Sequence, residues 1–346
     1  MILTIVGARP QFIKAAVVSR ALANEGIAEC VVHTGQHYDE NLSGVFWKEL
    51  GLPPIFRNLE IGSDLQGKQT AKILEGIEAL IIETKPEAVL LYGDTNSTLG
   101  GALAASKFPE ITIVHIEAGL RSFNRSMPEE INRIVTDHLS TVLFCSSSTG
   151  VKHLASEGIS DNVFDVGDVM YDSLNLFSSN NHGSNKWKSD TPFILLTIHR
   201  PVNTDSQENL VNILEAIRQT DLRTVWPVHP RNRAALQTLN LPQKLEIVPP
   251  ASYFEMISLL NACEMVITDS GGLQKEAYWS RKRCVTVRTE TEWVETLKDD
   301  ANILTSARTE EILRAISKRP VIEWEKNMYG NGTASIRIAE ILKKIL

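Results

Sequence analysis

A chain of 346 residues that is 43% hydrophobic carries enough apolar material for two ordinary globular cores and is long for one. Its net charge of -7 and pI near 5.7 exclude a general affinity for nucleic acid or an anionic membrane, so an anionic ligand has to be held locally. No stretch approaches the roughly eighteen apolar residues of a membrane helix, and Cys30, Cys145, Cys263 and Cys284 are too isolated for a disulfide scaffold or zinc knuckle.

The start "MILTIVGARP" has no basic region ahead of its short apolar run, which sets the expectation of a cytoplasmic protein. From there, Ile-, Val- and Leu-rich runs alternate with helix-length segments, the pattern of parallel strands joined by crossover helices. The predicted strands of the first half are "ILTIV", "CVVH", "AVLLY", "ITIVHI", "VLFC" and "VFDV"; those of the second are "FILLTI", "TVWPV", "LEIV", "MVIT" and "CVTV". Between them, residues 167–192 become rich in Ser, Asn, Gly and charge, which places a domain boundary there. The reading is α/β, with two Rossmann-like parallel-sheet domains at 1–170 and 171–330. An amphipathic C-terminal helix in 331–346, "IRIAEILKKIL", can dock on either.

Ligands of open parallel sheets bind beyond the carboxyl ends of the strands. The residues found there are Gly7, Ala8 and Arg9; Thr34, Gly35, Gln36 and His37; Gly93, Asp94 and Thr95; and Glu117. In the second half they are His199 and Arg200; His229 and Arg231; Asp269, Ser270, Gly271 and Gly272; and Arg288. Any one of them is as readily the ordinary start of a polar loop, but the repetition over eight strands points to a site.

"MVITDSGGLQKEAYW" reads as strand, tight turn and helix, with Ser270 as cap and Gly271 and Gly272 letting backbone N–H groups approach a diphosphate. Neither GxGxxG nor GxxxxGK[ST] occurs, so a nicotinamide fold or a P-loop lacks its usual support. Arg9 and Lys14, about one helical turn apart, are either a second cationic cluster or a solvated helix face. His199 and His229 are either donors to a phosphate or ribose, or structural.

Within "SMPEEINR", Pro128 suits a first helical turn, Ser126 and Glu129 have capping-box spacing, and Glu129 and Arg133 stand at i and i+4. That structural account does not reach Asp94 and Glu117, which end different strands and converge with this helix if the strands are neighbours. Three converging carboxylates repel, which equips at least one for proton transfer. The competing use is a metal site built from His115, Glu117 and Asp94. The HxE here, however, lacks the cysteines of a zinc deaminase.

The ordered set "VGARPQFIK", "TGQHYD", "GDTNSTLGGALAA", "HIEAGLRS", "PEEINR", "TIHRPVN", "PVHPRN" and "TDSGGLQKEA" resembles the non-hydrolysing UDP-N-acetylglucosamine 2-epimerase family over nearly the whole length. The resemblance implies a GT-B fold with a central cleft and a C-terminal helix crossing back to the first domain. It also implies neither NAD nor metal as cofactor, a homodimer, and a role in supplying surface polysaccharide precursors. It places Asp94, Glu117, Glu129, Arg133 and His199 on the family's catalytic positions. Arg9, Lys14, His229, Ser270, Gly271, Gly272 and Glu276 fall on its UDP-binding positions. Trp293 stands where these enzymes commonly have an arginine followed by proline, and "SFNRSMPEE" also departs. Both stretches look like the branch acting on UDP-2,3-diacetamido-2,3-dideoxyglucuronate, so Arg121, Arg125 or Arg288 is expected to meet the sugar carboxylate. A GT-B glycosyltransferase and a hydrolysing epimerase are the alternatives.

Overall fold

In the computed structural model the apolar runs form two parallel sheets, each with helices on both faces. Residues 36–46, 48, 180–186, 188–190, 229–231, 233–235, 237–238 and 325–326 aside, the whole chain is described. It divides into two compact units, Met1–Ser173 with Lys326–Leu346, and Leu174–Glu325.

The first unit contains β1 (Ile2–Val6), α1 (Arg9–Asn24), β2 (Glu29–His33), β3 (Ile55–Asn58), α2 (Gln66–Thr84), β4 (Ala88–Tyr92), α3 (Asn96–Ala105) and β5 (Thr112–Ala118). It continues with α4 (Pro128–Leu139), β6 (Val142–Cys145), α5 (Ser148–Ser156), β7 (Val163–Asp165) and α6 (Val169–Ser179), within which the division into units falls. Its strand order is β3-β2-β1-β4-β5-β6-β7, all pairs parallel. Every residue of β1 and β4 is buried, which explains why these central strands read as unbroken apolar runs. α3, "NSTLGGALAA", is made of small residues because it lies close: a Cβ on Gly100 would stand 2.6 Å from Ile73, and one on Gly101 2.7 Å from Ile5 and Leu91.

The second unit contains β8 (Phe193–Thr197), α7 (Pro201–Thr204), α8 (Gln207–Arg218), β9 (Arg223–Pro227), β10 (Leu245–Val248), α9 (Tyr253–Ala262) and β11 (Met265–Thr268). α10 (Gly271–Trp279), β12 (Arg283–Val287), β13 (Asn302–Thr305) and α11 (Thr309–Ser317) complete it. Its order is β10-β9-β8-β11-β12-β13, again all parallel. In both sheets the order reverses beside the first strand, at β1/β4 and at β8/β11, and such switch points are where open α/β sheets bind ligands.

The last helix, α12 (Ala334–Ile345), belongs to the first unit. The carboxylate of Asp172 accepts from the N–H groups of Ala334 (3.2 Å) and Ser335 (2.7 Å) and from the Ser335 hydroxyl (2.6 Å), capping the helix start. α12 then packs along α1, with Lys343 on Glu25 at 2.8 Å.

Two predictions arise from the cores. Burial pushes the thiols of Cys263 and Cys284 up to about 12 and raises Cys145 as well, whereas Cys30 is only half-buried. Titration of the native protein with an aromatic disulfide reagent is expected to modify Cys30 first, the other three reacting only on unfolding. The second prediction concerns Glu29, whose carboxyl is raised by burial against the lowering effect of the Thr4 and Ser19 hydroxyls. A raised folded-state value means that the native protein holds this proton more tightly than the unfolded chain. The associated stability is present below the ordinary glutamate range and is lost as pH rises through the folded value. Glu29→Gln is therefore expected to gain on the parent as pH goes from mildly acidic to mildly alkaline. Urea midpoints at both ends check this.

Candidate active site

Beyond the carboxyl ends of β1, β4 and β5, side chains from four elements interlock. Gln11, in the first turn of α1, accepts from the N–H groups of Gly7 (2.7 Å) and Ala8 (3.0 Å). Its amide donates to the Tyr92 carbonyl (2.8 Å) and to the hydroxyls of Thr95 and Thr98 (3.0 and 3.1 Å). This one buried amide ties the turn after β1 to the turn after β4. Gly7 has to be glycine, since a Cβ there would fall 2.1 Å from the Ser97 hydroxyl and 2.2 Å from that of Thr34.

Asp94 follows Gly93 in the second turn and is partly exposed. Its carboxylate meets the Arg133 guanidinium at 2.5 Å, and its carbonyl accepts from Asn132 at 2.9 Å. Glu117 is buried, has a left-handed φ of +74°, and sits where the β5–β6 register slips between Ile116 and Ala118. Positive φ in a non-glycine residue at a bulge is a costly conformation that persists only where its surroundings impose it. The Glu117 carboxylate is ion-paired to the buried ammonium of Lys14. It also lies against the Asp94 turn: a Cβ on Gly93 would be 3.4 Å from Glu117 Oε2 and 3.6 Å from Lys14 Nζ. Glu117 thus lies beside the turn that carries Asp94, and each of the two carboxylates has its own cation, Lys14 for Glu117 and Arg133 for Asp94.

Several expectations for this region need correcting. α4 starts at Pro128 with Met127 as the preceding cap residue, so Ser126 forms no capping box; its hydroxyl donates to Asn124 instead. Arg133 is held by Asp94 and, at 2.6 Å, by Glu130, one position past the partner that i,i+4 spacing indicates. Glu130 is buried and also accepts from Ser122 and Phe123, while Glu129 is exposed in the first turn of α4. Of the two readings of Lys14, the solvated helix face does not hold: the side chain is buried and ion-paired with Glu117, while Arg9 is exposed. Arg121 is committed to partners within the fold. Its side chain is 1% exposed and its fork is occupied by Glu157, bound through two nitrogens at 2.7 Å, and by Asp137 at 2.7 Å. Arg125 is exposed. As for a metal, His115 has both ring nitrogens bonded, to Asp137 and to the Gly93 carbonyl, and among the described residues no group of three or more His, Cys, Asp or Glu is placed to hold an ion.

In the second unit, His199 follows β8, and Ser270, Gly271 and Gly272 follow β11, at the switch point. Ser270 caps α10 by accepting from Leu273 N–H. The space over Gly272 is open, and a Cβ on Gly271 would reach Trp293 Nε1 at 3.6 Å and Arg288 Nη1 at 3.8 Å. The start of α10 therefore offers the backbone N–H groups of a turn that is open over Gly272 and bordered at Gly271 by Trp293, Arg288 and Glu292.

Asp269, fully buried, accepts from the N–H groups of His199 (3.0 Å) and Arg200 (2.9 Å) and from Asn203 (3.0 Å), and faces His199 Nδ1 at 3.2 Å. It therefore fixes the half-exposed His199 ring, a role that position after an apolar strand signals but does not specify. Glu276 is buried in α10. Arg288, like Arg121, is already paired: Glu292 holds it through two bonds of 3.0 and 3.1 Å. Trp293 stacks on the ammonium of Lys275, 3.5 Å from the ring centre. His229 lies outside the described residues.

A family profile described as UDP-N-acetylglucosamine 2-epimerase matches residues 20–343. The chain belongs to this family. It is 46% identical to the UDP-2,3-diacetamido-2,3-dideoxy-D-glucuronate 2-epimerase of Pseudomonas aeruginosa, over 99% of each chain. It is 40% identical to a UDP-N-acetylglucosamine 2-epimerase of Methanocaldococcus jannaschii, over 98% of this chain and 97% of that one. The crystal structure of the Methanocaldococcus jannaschii UDP-GlcNAc 2-epimerase in complex with UDP-GlcNAc and UDP superimposes with a TM-score of 0.88 at 38% identity, over 99% and 98% of the two chains. The expected GT-B-type fold of two Rossmann-like domains agrees with these relatives. A calicheamicin glycosyltransferase shares the fold alone, at a TM-score of 0.56 and 14% identity. The chain is thus an epimerase, and no described helix is long and apolar enough to cross a membrane.

Proposed function

We propose that the protein inverts C2 of a UDP-linked N-acetylated sugar without releasing free sugar, and that its substrate is of the UDP-2,3-diacetamido-2,3-dideoxyglucuronate class. The pairing of Glu117 with Lys14 against the Asp94–Arg133 turn carries this reading. It puts one carboxylate beside the turn that bears a second, and inversion through a planar carbon needs a proton taken from one face and returned to the other.

The hydrogen at C2 is not adjacent to a carbonyl, so direct abstraction is too slow. Departure of UDP activates it: cleavage of C1–O leaves an oxocarbenium-like centre that nearby carboxylates stabilise. Loss of the C2 proton to a carboxylate gives a glycal; a second group protonates C2 from the opposite face, and UDP re-adds to C1. Asp94, Glu117 and the exposed Glu129 are the acid and base candidates, with Arg133 setting the charge around Asp94. Arg9, the turn at Ser270 to Gly272, Glu276 and His199 are assigned to the nucleotide, His199 being aimed by Asp269. His229 is assigned there from the family resemblance alone.

Incubation with UDP-sugar in D₂O, followed by NMR, tests the reading. Deuterium at C2 of an intact, inverted UDP-sugar is expected. Free sugar in place of the nucleotide sugar points to a hydrolysing enzyme, and absence of exchange without an acceptor points to a glycosyltransferase.

For the uronate, Arg125 takes the role assigned at first to three arginines. Arg125→Ala is expected to raise KM for the UDP-uronate by about 10-fold and to leave a neutral UDP-N-acetylhexosamine unaffected. Equal effects on both sugars remove Arg125 from carboxylate recognition. The same reading carries with it a homodimer working in the cytoplasm, for which sedimentation equilibrium checks the assembly.

A further inference from the structure

Beneath the Asp94 and Glu117 turns lies a buried polar chain that the proposed chemistry does not use. His115, fully buried in β5, donates from Nε2 to the Gly93 carbonyl at 2.8 Å, and its Nδ1 meets Asp137 Oδ1 at 2.7 Å. Asp137, fully buried in α4, accepts on its other oxygen from the Gly119 N–H (3.1 Å) and from Arg121 (2.7 Å). Arg121 continues to Glu157 and donates to the Leu120 carbonyl at 2.6 Å. Burial works to raise Asp137, yet the hydrogen bonds and charges of His115 and Arg121 outweigh it and hold the carboxyl below the usual aspartate range.

The attachment points of this chain matter more than its charge. Gly93 and Gly119 both have positive φ (+62° and +77°); one precedes Asp94 and the other lies two residues after the left-handed Glu117. His115 grips the first turn, Asp137 grips the second, and the two grip each other. The route from Asp94 to Glu117 across two strands is therefore closed by side-chain bonds as well as by the sheet.

We propose that His115 and Asp137 are positioning residues, which through Gly93 and Gly119 hold the Asp94 turn and the left-handed Glu117 in one fixed register. The proposal rests on reading those carboxyl groups as the proton-transfer pair. A group displaced by about 1 Å loses on the order of 10²-fold in rate, and both positioning side chains belong to the first unit, whereas the nucleotide-binding turn belongs to the second.

The test compares Asp137→Ala, Asp137→Asn and His115→Ala in the full-length protein, measuring kcat and KM for epimerisation and UDP affinity by calorimetry. Both alanine variants are expected to lose about 10²-fold in kcat with KM and UDP affinity near the parent values, and the double alanine variant to be no slower than either single one. Asp137→Asn is expected to recover most of the rate. Its amide oxygen still accepts from Gly119 and Arg121, and its NH₂ can face a neutral His115 that keeps its Nε2 bond to Gly93. Parent-like kcat in either alanine variant overturns the proposal, as does a parallel loss of kcat and UDP affinity. Should the alanine variants be insoluble, ¹⁵N NMR of the parent decides: a slowly exchanging proton on His115 Nε2 is expected, and a rapidly exchanging one overturns the lock. Failure of the underlying functional reading looks different, because the parent itself then shows no C2 exchange.

Discussion

Glu117→Gln is expected to lower turnover by about 10²- to 10⁴-fold, and Asp94→Asn by a similar factor, with UDP affinity close to that of the parent. Each substitution keeps the shape of the side chain and removes its capacity to carry the proton. The two differ in their effect on stability. Glu117 is the ion-pair partner of the buried Lys14, and neutralising one member of a buried pair leaves a charge without its counterion, at a cost of up to about 3–5 kcal/mol when no other partner relieves it. The glutamine oxygen still accepts from the ammonium and reduces this cost. Asp94 is partly exposed, and its partner Arg133 retains Glu130, so Asp94→Asn should melt near the parent temperature. Pairing Glu117→Gln with Lys14→Met separates stability from chemistry: the melting temperature should recover while turnover stays low. Parent-like turnover in both Asp94→Asn and Glu117→Gln removes these residues from the chemistry.

Gly119→Ala is expected to destabilise the first unit by about 3–5 kcal/mol. Two effects add. The backbone at 119 has φ of +77°, which side chains rarely adopt, and an added Cβ would stand 2.3 Å from the carbonyl oxygen of Gly150 in α5. The obstacle is backbone within a helix, so no rotamer change relieves it, and movement of the strand end would also carry away the N–H that Asp137 accepts. Against a typical total of roughly 5–15 kcal/mol, soluble expression should fall and the urea midpoint should drop clearly. A melting temperature within about 2 °C of the parent shows that α5 yields more easily than its geometry implies.

Much of the architecture could be read from the order of residues, for a physical reason: strands buried on both faces leave continuous apolar runs, as in "ILTIV" and "AVLLY". The strands that escaped that reading, β3 and β13, lie at sheet edges. All four residues of β3 are exposed, so Ile55–Asn58 carries no apolar run to mark it. In the site, Asp94, His199 and Ser270 were visible because each follows a buried strand, and Glu117 because it is a charge near the end of one. The partners were harder to assign. Lys14 and Glu117 are 103 positions apart, and only the neighbouring of β1, β4 and β5 brings them together. Local spacing also misled: Ser126 and Glu129 fit a capping box, but Pro128 fixes the helix start and turns Glu130 inward to Arg133. Arg121 and Arg288 read as ligand-seeking cations, whereas each is neutralised by acidic residues within the fold.

The return of α12 to the first unit bears on how the polypeptide matures during synthesis. Leu174–Glu325 is one uninterrupted segment and has everything it needs once it has left the ribosome. Met1–Ser173 does not, since Asp172 awaits the N–H groups of Ala334 and Ser335, and the face of α1 that α12 covers stays bare until the final turn is made. The half that begins first is therefore completed last, and the carboxylate-bearing sheet becomes fully supported only after its companion has been synthesised.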